Sequence, residues 1–374
     1  MIPAVALAVS GCAAIPARTP YTAADLSSAA PLGGPQQVRF WSEGDDAAYD
    51  RWSASLLDQR RKAGLAMPRT LLALSGGADK GAFSAGLLDG WSRRGDRPSF
   101  DMVTGVSTGA LIAPFAFLGS QEDAALTAIY TGIGARDVYR QRVLRGLFGG
   151  SSLLDSRPLA KLIARHADAA LVERVAAEHR KGRRLLVMTT NLDAQRGVIW
   201  DMGAIAAGTS PDRVALFQRV LLASASIPGV FPPVLIDAGA NGRHFAEMHV
   251  DGGAVAGFFV LPSRLLAQAP RDETGRGAIY LFYNGRYSPA FKVVKPETFG
   301  ILSRGLATAL RYLDRGGVEE VRRFTRDHAS AFRLCSIERD TLRDDAPLFD
   351  TAYMRELYAL GTSEAAAKPS CLTR

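Results

Sequence analysis

The fold is decided by the stretch Asp101-Met-Val-Thr-Gly-Val-Ser-Thr-Gly109. It begins as an apolar run of strand length, and the apolar segment Leu111 to Leu118 that follows has the length of a helix. Gly-x-Ser-x-Gly between a strand and a helix is typical of a sharp turn that presents a serine hydroxyl above a sheet. Gly105 and Gly109 remove side chains where strand and helix pack closest. We therefore expect Ser107 to be a nucleophile, and a plain helix N-cap serine is the alternative.

Apolar segments of strand and helix character alternate along the rest of the chain. Strands are predicted at Thr70 to Ser75, Asp101 to Val106, Arg184 to Asn191, Val198 to Met202, Gly277 to Tyr283 and Ala331 to Ile337. Helices are predicted at Ala82 to Arg93, Asp212 to Ser224, Pro296 to Arg326 and Thr351 to Ala367. Such alternation predicts a single α/β domain, in which a mostly parallel sheet is covered by helices on both faces.

A glycine-rich loop follows the first predicted strand and comprises Gly76, Gly77, Ala78, Asp79, Lys80 and Gly81. It is not a dinucleotide loop, because Ala78 occupies the place of the middle glycine. It is not a P-loop either, because Ala82 follows Gly81 where a lysine is required. We expect its backbone amides to bind the oxyanion of a tetrahedral acyl intermediate, and a plain tight turn is the alternative. Ala78 keeps its N–H, but a positive φ there would cost free energy.

A third motif is Asp251-Gly252-Gly253. An aspartate before two glycines is a common turn, but it also places a carboxylate on a loop whose backbone can approach another loop closely. A general base must reach the proton that it accepts, and a Ser–Asp pair can do this without histidine. His249 would share a face with Asp251 in a strand and is a candidate for an assisting role.

In this order, the three motifs resemble the patatin-like phospholipase family. The segments Thr189 to Leu192 and Ala223 to Pro233 add to the resemblance, which covers roughly residues 69 to 260. It implies a three-layer α/β/α sandwich with a mostly parallel central sheet. It also implies a serine acyl hydrolase that needs no cofactor or metal and releases fatty acid from phospholipids or other lipid esters through an acyl-enzyme.

The resemblance also assigns roles to residues. Ser107 is the nucleophile, Asp251 is the base, and the amides around Gly77 and Ala78 are the oxyanion donors. Lys80 stands where the family has arginine or lysine, whereas Ala78 departs from the usual glycine. This departure bears on the strength of the oxyanion hole more than on the class of reaction.

Three other interpretations stay open. The order Ser107, Asp251, His328 is the order of the triad of an α/β-hydrolase esterase. A lipid-binding lipoprotein that keeps the fold without turnover is a second interpretation. Acyl transfer to an acceptor other than water is a third, and the same residues would serve it.

The amino terminus resembles a bacterial lipoprotein signal, because an apolar run ends in Val9-Ser-Gly-Cys12. This resemblance implies that residues 1–11 are a signal segment and that Cys12 carries a lipid. No Lys or Arg precedes Cys12, which departs from the signal pattern, and an ordinary apolar terminus is the alternative. We predict a lipid-linked tether over residues 12–68, with one helix around Ala47 to Lys62. The hydrolase domain with a helical C-terminal extension would then cover residues 69–374, on the periplasmic face of a bacterial membrane, most simply the outer one.

Charge and cysteines add weaker indications. The net charge of +8 reflects a compositional bias toward arginine in one interpretation and an anionic partner in the other. If there is such a partner, an anionic lipid surface is favoured over nucleic acid, because no zinc finger, basic zipper or aromatic-basic RNA motif is present. The segment Arg136 to Phe148 alternates arginines with apolar residues, as a flap at a lipid surface or an ordinary surface helix would. Cys335 and Cys371 form a disulfide in one interpretation and are free thiols in the other.

Overall fold

The computed structural model describes residues 18–32, 34, 37–65, 68–141, 152–260, 277–328, 330–338, 347–367, 369 and 371–372. Its main sheet, counted over these residues, has ten strands. They are β1 (Ala30–Pro31), β2 (Arg39–Trp41), β3 (Thr70–Leu74), β4 (Met102–Val106), β7 (Arg184–Asn191), β8 (Arg196–Asp201), β9 (Val234–Ala240), β10 (Arg243–Asp251), β11 (Ala278–Tyr283) and β12 (Ala331–Ser336). A second sheet pairs β5 (Arg140–Gln141) with β6 (Leu154–Asp155).

The centre of the main sheet is parallel, in the order β7-β4-β3-β11-β12. Antiparallel pairing extends the sheet beyond β7, through β10, β9 and β1 in one direction and through β8 and β2 in the other. All five central strands therefore end at one edge, where parallel sheets carry their functional loops.

Helices cover both faces of the sheet. The described helices are α1 (Ala23–Ser28), α2 (Asp46–Lys62), α3 (Gly81–Arg94), α4 (Thr108–Leu118), α5 (Asp123–Gly132), α6 (Ala135–Val138), α7 (Arg157–His166), α8 (Ala169–Arg180), α9 (Met202–Ala207), α10 (Arg213–Ser224), α11 (Thr298–Asp327) and α12 (Thr351–Ala366). Successive residues of β3 point to opposite faces, so Leu72 and Leu74 join the core beneath α3, α4 and α12. Leu71 and Ala73 join a second core beneath α2 and α11. The three-layer α/β/α sandwich predicted from the sequence is thus confirmed.

The predicted elements of the domain agree with the described ones to within two residues at most ends. The hairpin β9–β10 was missed, although its turn carries the signal Asn241-Gly242. Both residues have positive φ, 52° and 73°, as a two-residue hairpin turn requires.

The described part of the predicted tether is folded onto the domain, which corrects that prediction. β1 pairs with β9, β2 pairs with β8, and α2 buries Tyr49, Trp52 and Leu56 in the second core. The contact begins at Arg18, whose guanidinium donates two hydrogen bonds to Asp193, at 2.5 and 2.9 Å. These residues join the domain because they supply apolar side chains and strand edges to it. Cys12 and the predicted signal segment lie outside the described residues.

Helix α11 connects β11 to β12 and is longer than that connection requires. Asp314 lies at the level of the end of β11, because its carboxylate accepts hydrogen bonds from Tyr283 Oη (2.8 Å) and Gly257 N (3.0 Å). From Asp314 onward the helix runs back along the sheet and buries Val318 and Val321. The sixteen residues from 298 to 313 therefore extend about 24 Å beyond that level.

Two further features close the description. A disulfide joins Cys335 in β12 to Cys371, with 5.3 Å between their Cα atoms, so the paired alternative is the one observed. Over the described ranges, no helix is both long and apolar enough to cross a bilayer.

Candidate active site

Ser107 occupies the sharp turn between β4 and α4. Its backbone has φ 56° and ψ −127°, a strained conformation for a residue with a side chain. The flanking glycines permit the turn: a Cβ at Gly105 would lie 2.5 Å from the Gly109 oxygen, and one at Gly109 would lie 2.2 Å from the Leu74 oxygen. The Ser107 amide donates to Ser224 Oγ at 3.0 Å, which fixes the turn against α10. The hydroxyl is thereby held above the carboxyl edge of the sheet, as predicted.

Asp251 ends β10 beside this turn and is 4% exposed. Its Oδ1 accepts a hydrogen bond of 2.7 Å from the Gly253 amide. Its Oδ2 is buried and accepts no hydrogen bond from the described residues. Burial raises the pKa of Asp251 to about 7, although the nearby Ser107 hydroxyl and the Gly253 amide act in the opposite direction. The structure thus brings Ser107 and Asp251 together, with the Ser107 hydroxyl close enough to affect the Asp251 carboxyl.

The glycine loop lies against the same edge. Gly76 donates its amide to the Gly257 oxygen at 2.8 Å, whereas the amides of Gly77 and Ala78 donate to no described residue. Gly77 has φ 149°, and Ala78 has φ 54°. The predicted oxyanion donors are therefore available, and Ala78 occupies a position with the backbone conformation that favours glycine. Lys80 ends the short turn Ala78–Lys80, half-buried, and Gly81 begins α3.

We expect Ala78→Gly to stabilise the protein by about 1 kcal/mol, because it removes the left-handed strain of a residue with a Cβ. Urea unfolding of the two proteins measures this change. Ala307→Gly in the exposed part of α11 is the matched control and should destabilise by about 1 kcal/mol, since glycine is unfavourable inside a helix. A loss of stability in Ala78→Gly equal to that of the control would contradict the expectation.

An apolar pocket opens at Ser107 and Ala78 and runs beneath α4, α7 and α12. Its wall includes Leu111, Phe115, Leu159, Ile163, Phe231 and Met354. A pocket of this kind excludes water and suits a hydrocarbon chain.

The structure separates His328 from the other two members of the predicted triad. His328 follows α11 and precedes Ala331, which pairs with Ala278 at the beginning of β11. It therefore lies at the amino edge of the parallel strands, whereas Ser107 lies at the carboxyl edge, about 16 Å away along β4. Its Nδ1 also lies 2.8 Å from the Phe324 oxygen. The Ser107–Asp251–His328 interpretation is wrong because of this separation.

His249 is fully buried, and both of its ring nitrogens are engaged. Nδ1 lies 2.9 Å from Thr189 Oγ1, and Nε2 lies 3.0 Å from Glu247 Oε2. Burial lowers the pKa of His249, and Glu247 opposes this effect. The ring therefore holds β10 against β7 and has no nitrogen left for an assisting role.

The remaining predicted residues fall in two groups. Gly252 and Gly253 form the turn after Asp251, and a Cβ at Gly252 would lie 2.6 Å from the Met188 oxygen. In the predicted flap, Arg136 to Val138 belong to the short helix α6, Arg140 lies in β5, and residues 142–148 lie outside the described ranges.

Two supporting residues were missed. Asn284 follows β11 and donates from Nδ2 to the Ser75 backbone oxygen at 2.9 Å. Its backbone oxygen would lie 2.4 Å from a Cβ on Gly77. Ser224 Oγ accepts from Ser107 N and donates to the Met188 oxygen at 2.7 Å. The available signal for Asn284 was its position at the end of a parallel strand. Ser224 lies in the segment Ala223 to Pro233 that carries the resemblance, but the resemblance gave it no role.

One protein-family model matches more than half of this chain. The family model described as "Patatin-like phospholipase" matches residues 72–262, just over half of the chain. Among solved structures, the crystal structure of VipD from Legionella pneumophila is similar at a TM-score of 0.34 and 12% identity, over 81% of this chain and 67% of that one. No curated protein matches the chain.

Proposed function

This chain belongs to the patatin-like phospholipase family, and from that premise we propose that it is a serine acyl hydrolase with a Ser107–Asp251 dyad. The family supports lipid acyl hydrolase activity, and the proposal adds the two residues and an acyl-enzyme. One observation carries it: the buried Asp251 carboxylate has an oxygen without a partner among the described residues, and it lies beside a serine on a strained turn.

The first step forms the acyl-enzyme. Asp251 Oδ2 accepts the proton of Ser107, and Oγ forms a bond to the ester carbonyl carbon. The carbonyl oxygen becomes an oxyanion that the Gly77 and Ala78 amides stabilise. The carbon–oxygen bond to the leaving alcohol then breaks, and the alcohol takes the proton from Asp251.

The second step regenerates the serine. Water attacks the acyl carbon while Asp251 accepts a proton from it, and the fatty acid leaves as Ser107 Oγ regains that proton. A base with a pKa of about 7 suits both transfers, because about half of it is ionised at neutral pH and it is still basic enough to accept a proton.

The apolar pocket at Ser107 supports the proposed substrate class. A single acyl chain of a phospholipid or another lipid ester would enter it, with the polar head outside. We further propose a membrane surface as the site of action, with a lipid on Cys12 and a location in the cell envelope, on the periplasmic face of a bacterial membrane.

The test is hydrolysis of phospholipid vesicles in ¹⁸O-labelled water, with lipid products read by mass spectrometry. We expect lysophospholipid together with free fatty acid that carries one ¹⁸O atom. Ser107→Ala is the blank, and Ser27→Ala, at an exposed serine of α1, is the matched control that should retain turnover.

Two outcomes would count against the proposal. Transfer of the acyl group to an added alcohol, with no labelled acid, would replace hydrolysis by acyl transfer. No product from any phospholipid or short-chain ester would favour the non-catalytic interpretation.

A further inference from the structure

The projecting half of α11 carries an apolar face that no described residue covers. Its exposed side chains are Ile301, Leu302, Leu306, Tyr312 and Leu313, each between 57% and 67% exposed. At 100° per residue, they fall within an arc of about 140° along one side of the helix. We call this side, together with the preceding Phe291 and Val293, the α11 apolar face; those two are 95% and 80% exposed.

The face ends where the helix meets the sheet. Beyond Gly316 and Gly317 the same side of α11 continues with Glu319 and Glu320, and the helix buries Val318 and Val321 on its other side. A contiguous patch of large apolar side chains on a projecting helix is unusual for a surface that faces water alone. The change from apolar to acidic residues on this side of α11 therefore indicates that residues 298–313 contact a binding partner rather than the rest of the domain.

The α11 apolar face lies on the side of the molecule where substrate enters. Asp314, one residue after Leu313, accepts the Gly257 amide, and the Gly257 oxygen in turn accepts the Gly76 amide of the glycine loop. The helix thus projects from the carboxyl edge of the sheet, the edge at which Ser107 stands.

Cations border the face. Residues 284–316 contain six cationic side chains and two acidic ones, and one of the acids, Asp314, is buried. Lys292, Lys295 and Arg315 are exposed, whereas Arg286, Arg304 and Arg311 are half-buried and Arg286 lies near Glu338. Arg304 also donates to the Ala290 oxygen at 2.5 Å, which holds the segment of Phe291 against the helix.

We propose that the α11 apolar face docks on an anionic lipid bilayer and so presents Ser107 to its substrate, an inference that rests on the proposed function. Large apolar side chains bordered by Lys and Arg are the composition of helices that lie in the headgroup region of anionic membranes. A second copy of the chain fits less well, because a two-fold interface would bring the same cations of both copies together.

The test separates docking from catalysis. Cys12→Ser/Ser107→Ala protein, which carries no lipid on residue 12 and leaves the vesicle lipid intact, is sedimented with vesicles of equal parts phosphatidylglycerol and phosphatidylcholine. We expect Leu302→Glu/Leu306→Glu in that background to bind roughly a hundredfold more weakly, since two leucines no longer enter the lipid. Leu57→Glu/Leu65→Glu is the matched control at two exposed leucines elsewhere, and should bind as the parent does.

A second pair of variants tests the charges. Lys292→Gln/Lys295→Gln should bind these anionic vesicles about 25-fold more weakly, since each cation near such a surface contributes about a fivefold change. Its binding to pure phosphatidylcholine should not change. Equal losses on both vesicles would overturn the electrostatic part of the proposal.

Other outcomes keep the two proposals distinct. Vesicle binding that survives Leu302→Glu/Leu306→Glu overturns the docking proposal. A second outcome also overturns it: light scattering shows that the parent is a dimer, and the variant becomes a monomer but still binds vesicles. Turnover of a soluble short-chain ester without vesicle binding overturns docking and leaves the proposed function standing. Vesicle binding without turnover of any ester supports docking and overturns the proposed function.

Discussion

Replacement of Ser107 by alanine lowers kcat by about 10⁴- to 10⁶-fold, if this residue is the nucleophile that we propose. The loss is large because no other hydroxyl among the described residues shares its position: the turn, the helix amino terminus and the buried carboxylate converge on Oγ alone. Alanine has the same Cβ and keeps the turn, so the variant should fold as the parent does. The measurement is initial-rate hydrolysis of a soluble p-nitrophenyl ester.

A covalent readout accompanies the rates. A fluorophosphonate should add one mass increment to the parent protein and to the Ser27→Ala control, located at Ser107 by peptide mapping, and none to Ser107→Ala. Retained turnover and labelling in Ser107→Ala would show that the nucleophile is elsewhere.

Replacement of Asp251 by asparagine lowers kcat/KM by about a thousandfold or more, because an amide cannot accept the Ser107 proton. The parent's own pH profile reports the same group. Since the pKa of Asp251 is about 7, kcat/KM should fall roughly a hundredfold from its plateau above pH 8 down to pH 5. The residual rate of Asp251→Asn should lack this dependence, whereas a flat profile in the parent would contradict the role of Asp251.

The effect of Asp251 on stability has the opposite pH dependence to its effect on kcat/KM. The pKa of Asp251 is about 7 in the folded protein against an ordinary value of 3.8, so the folded state keeps a proton that the unfolded chain has released. The contribution of Asp251 to the free energy of unfolding therefore falls as the pH rises from about 4 to about 7, and stays level above that. Asp251→Asn removes this loss and should be more stable by about 2–4 kcal/mol at pH 8, with little difference near pH 4.

Asp201→Asn is the matched control for both measurements. Asp201 is also buried, but it accepts hydrogen bonds from Trp52 Nε1 and Ala204 N, both at 2.9 Å, and lies near Arg184. Its replacement should destabilise the protein, because Arg184 loses a charged neighbour, and it should leave turnover at the parent level. Equal stability changes in the two variants would contradict the assignment of Asp251 as an isolated buried base.

The sequence predicted the centre of this protein well, for a physical reason. Strands β3 and β4 are buried on both faces and are mostly apolar, and the glycine loop and the serine turn follow at their carboxyl ends, where loops of a parallel sheet meet. The third motif instead ends β10, an antiparallel strand that was not predicted. The conformational demand at Ala78 was also predictable, because the position calls for a glycine. The disulfide was not, since spacing left paired and free cysteines equally open.

The periphery was harder to predict, since its elements depend on partners distant in sequence. β1 and β2 have two and three residues and exist only because β9 and β8 offer edges to them. The separation of His328 from Ser107 follows from the direction of α11, which its own composition does not reveal. The apolar residues on the exposed face of α11 have the spacing of a buried helix face. Only the structure shows that no other described element packs against them.

The bidentate contact of Arg18 with Asp193 has a mechanical consequence for the proposed lipid on Cys12. Asp193 follows β7 past the carboxyl edge of the sheet, so Arg18, which contacts it, lies on the side of the molecule that carries Ser107. The six residues from 13 to 18 span at most about 20 Å. Such a short connection to the lipid would leave the protein little freedom to rotate away from the bilayer. Each catalytic cycle would begin with the pocket entrance already facing the lipid.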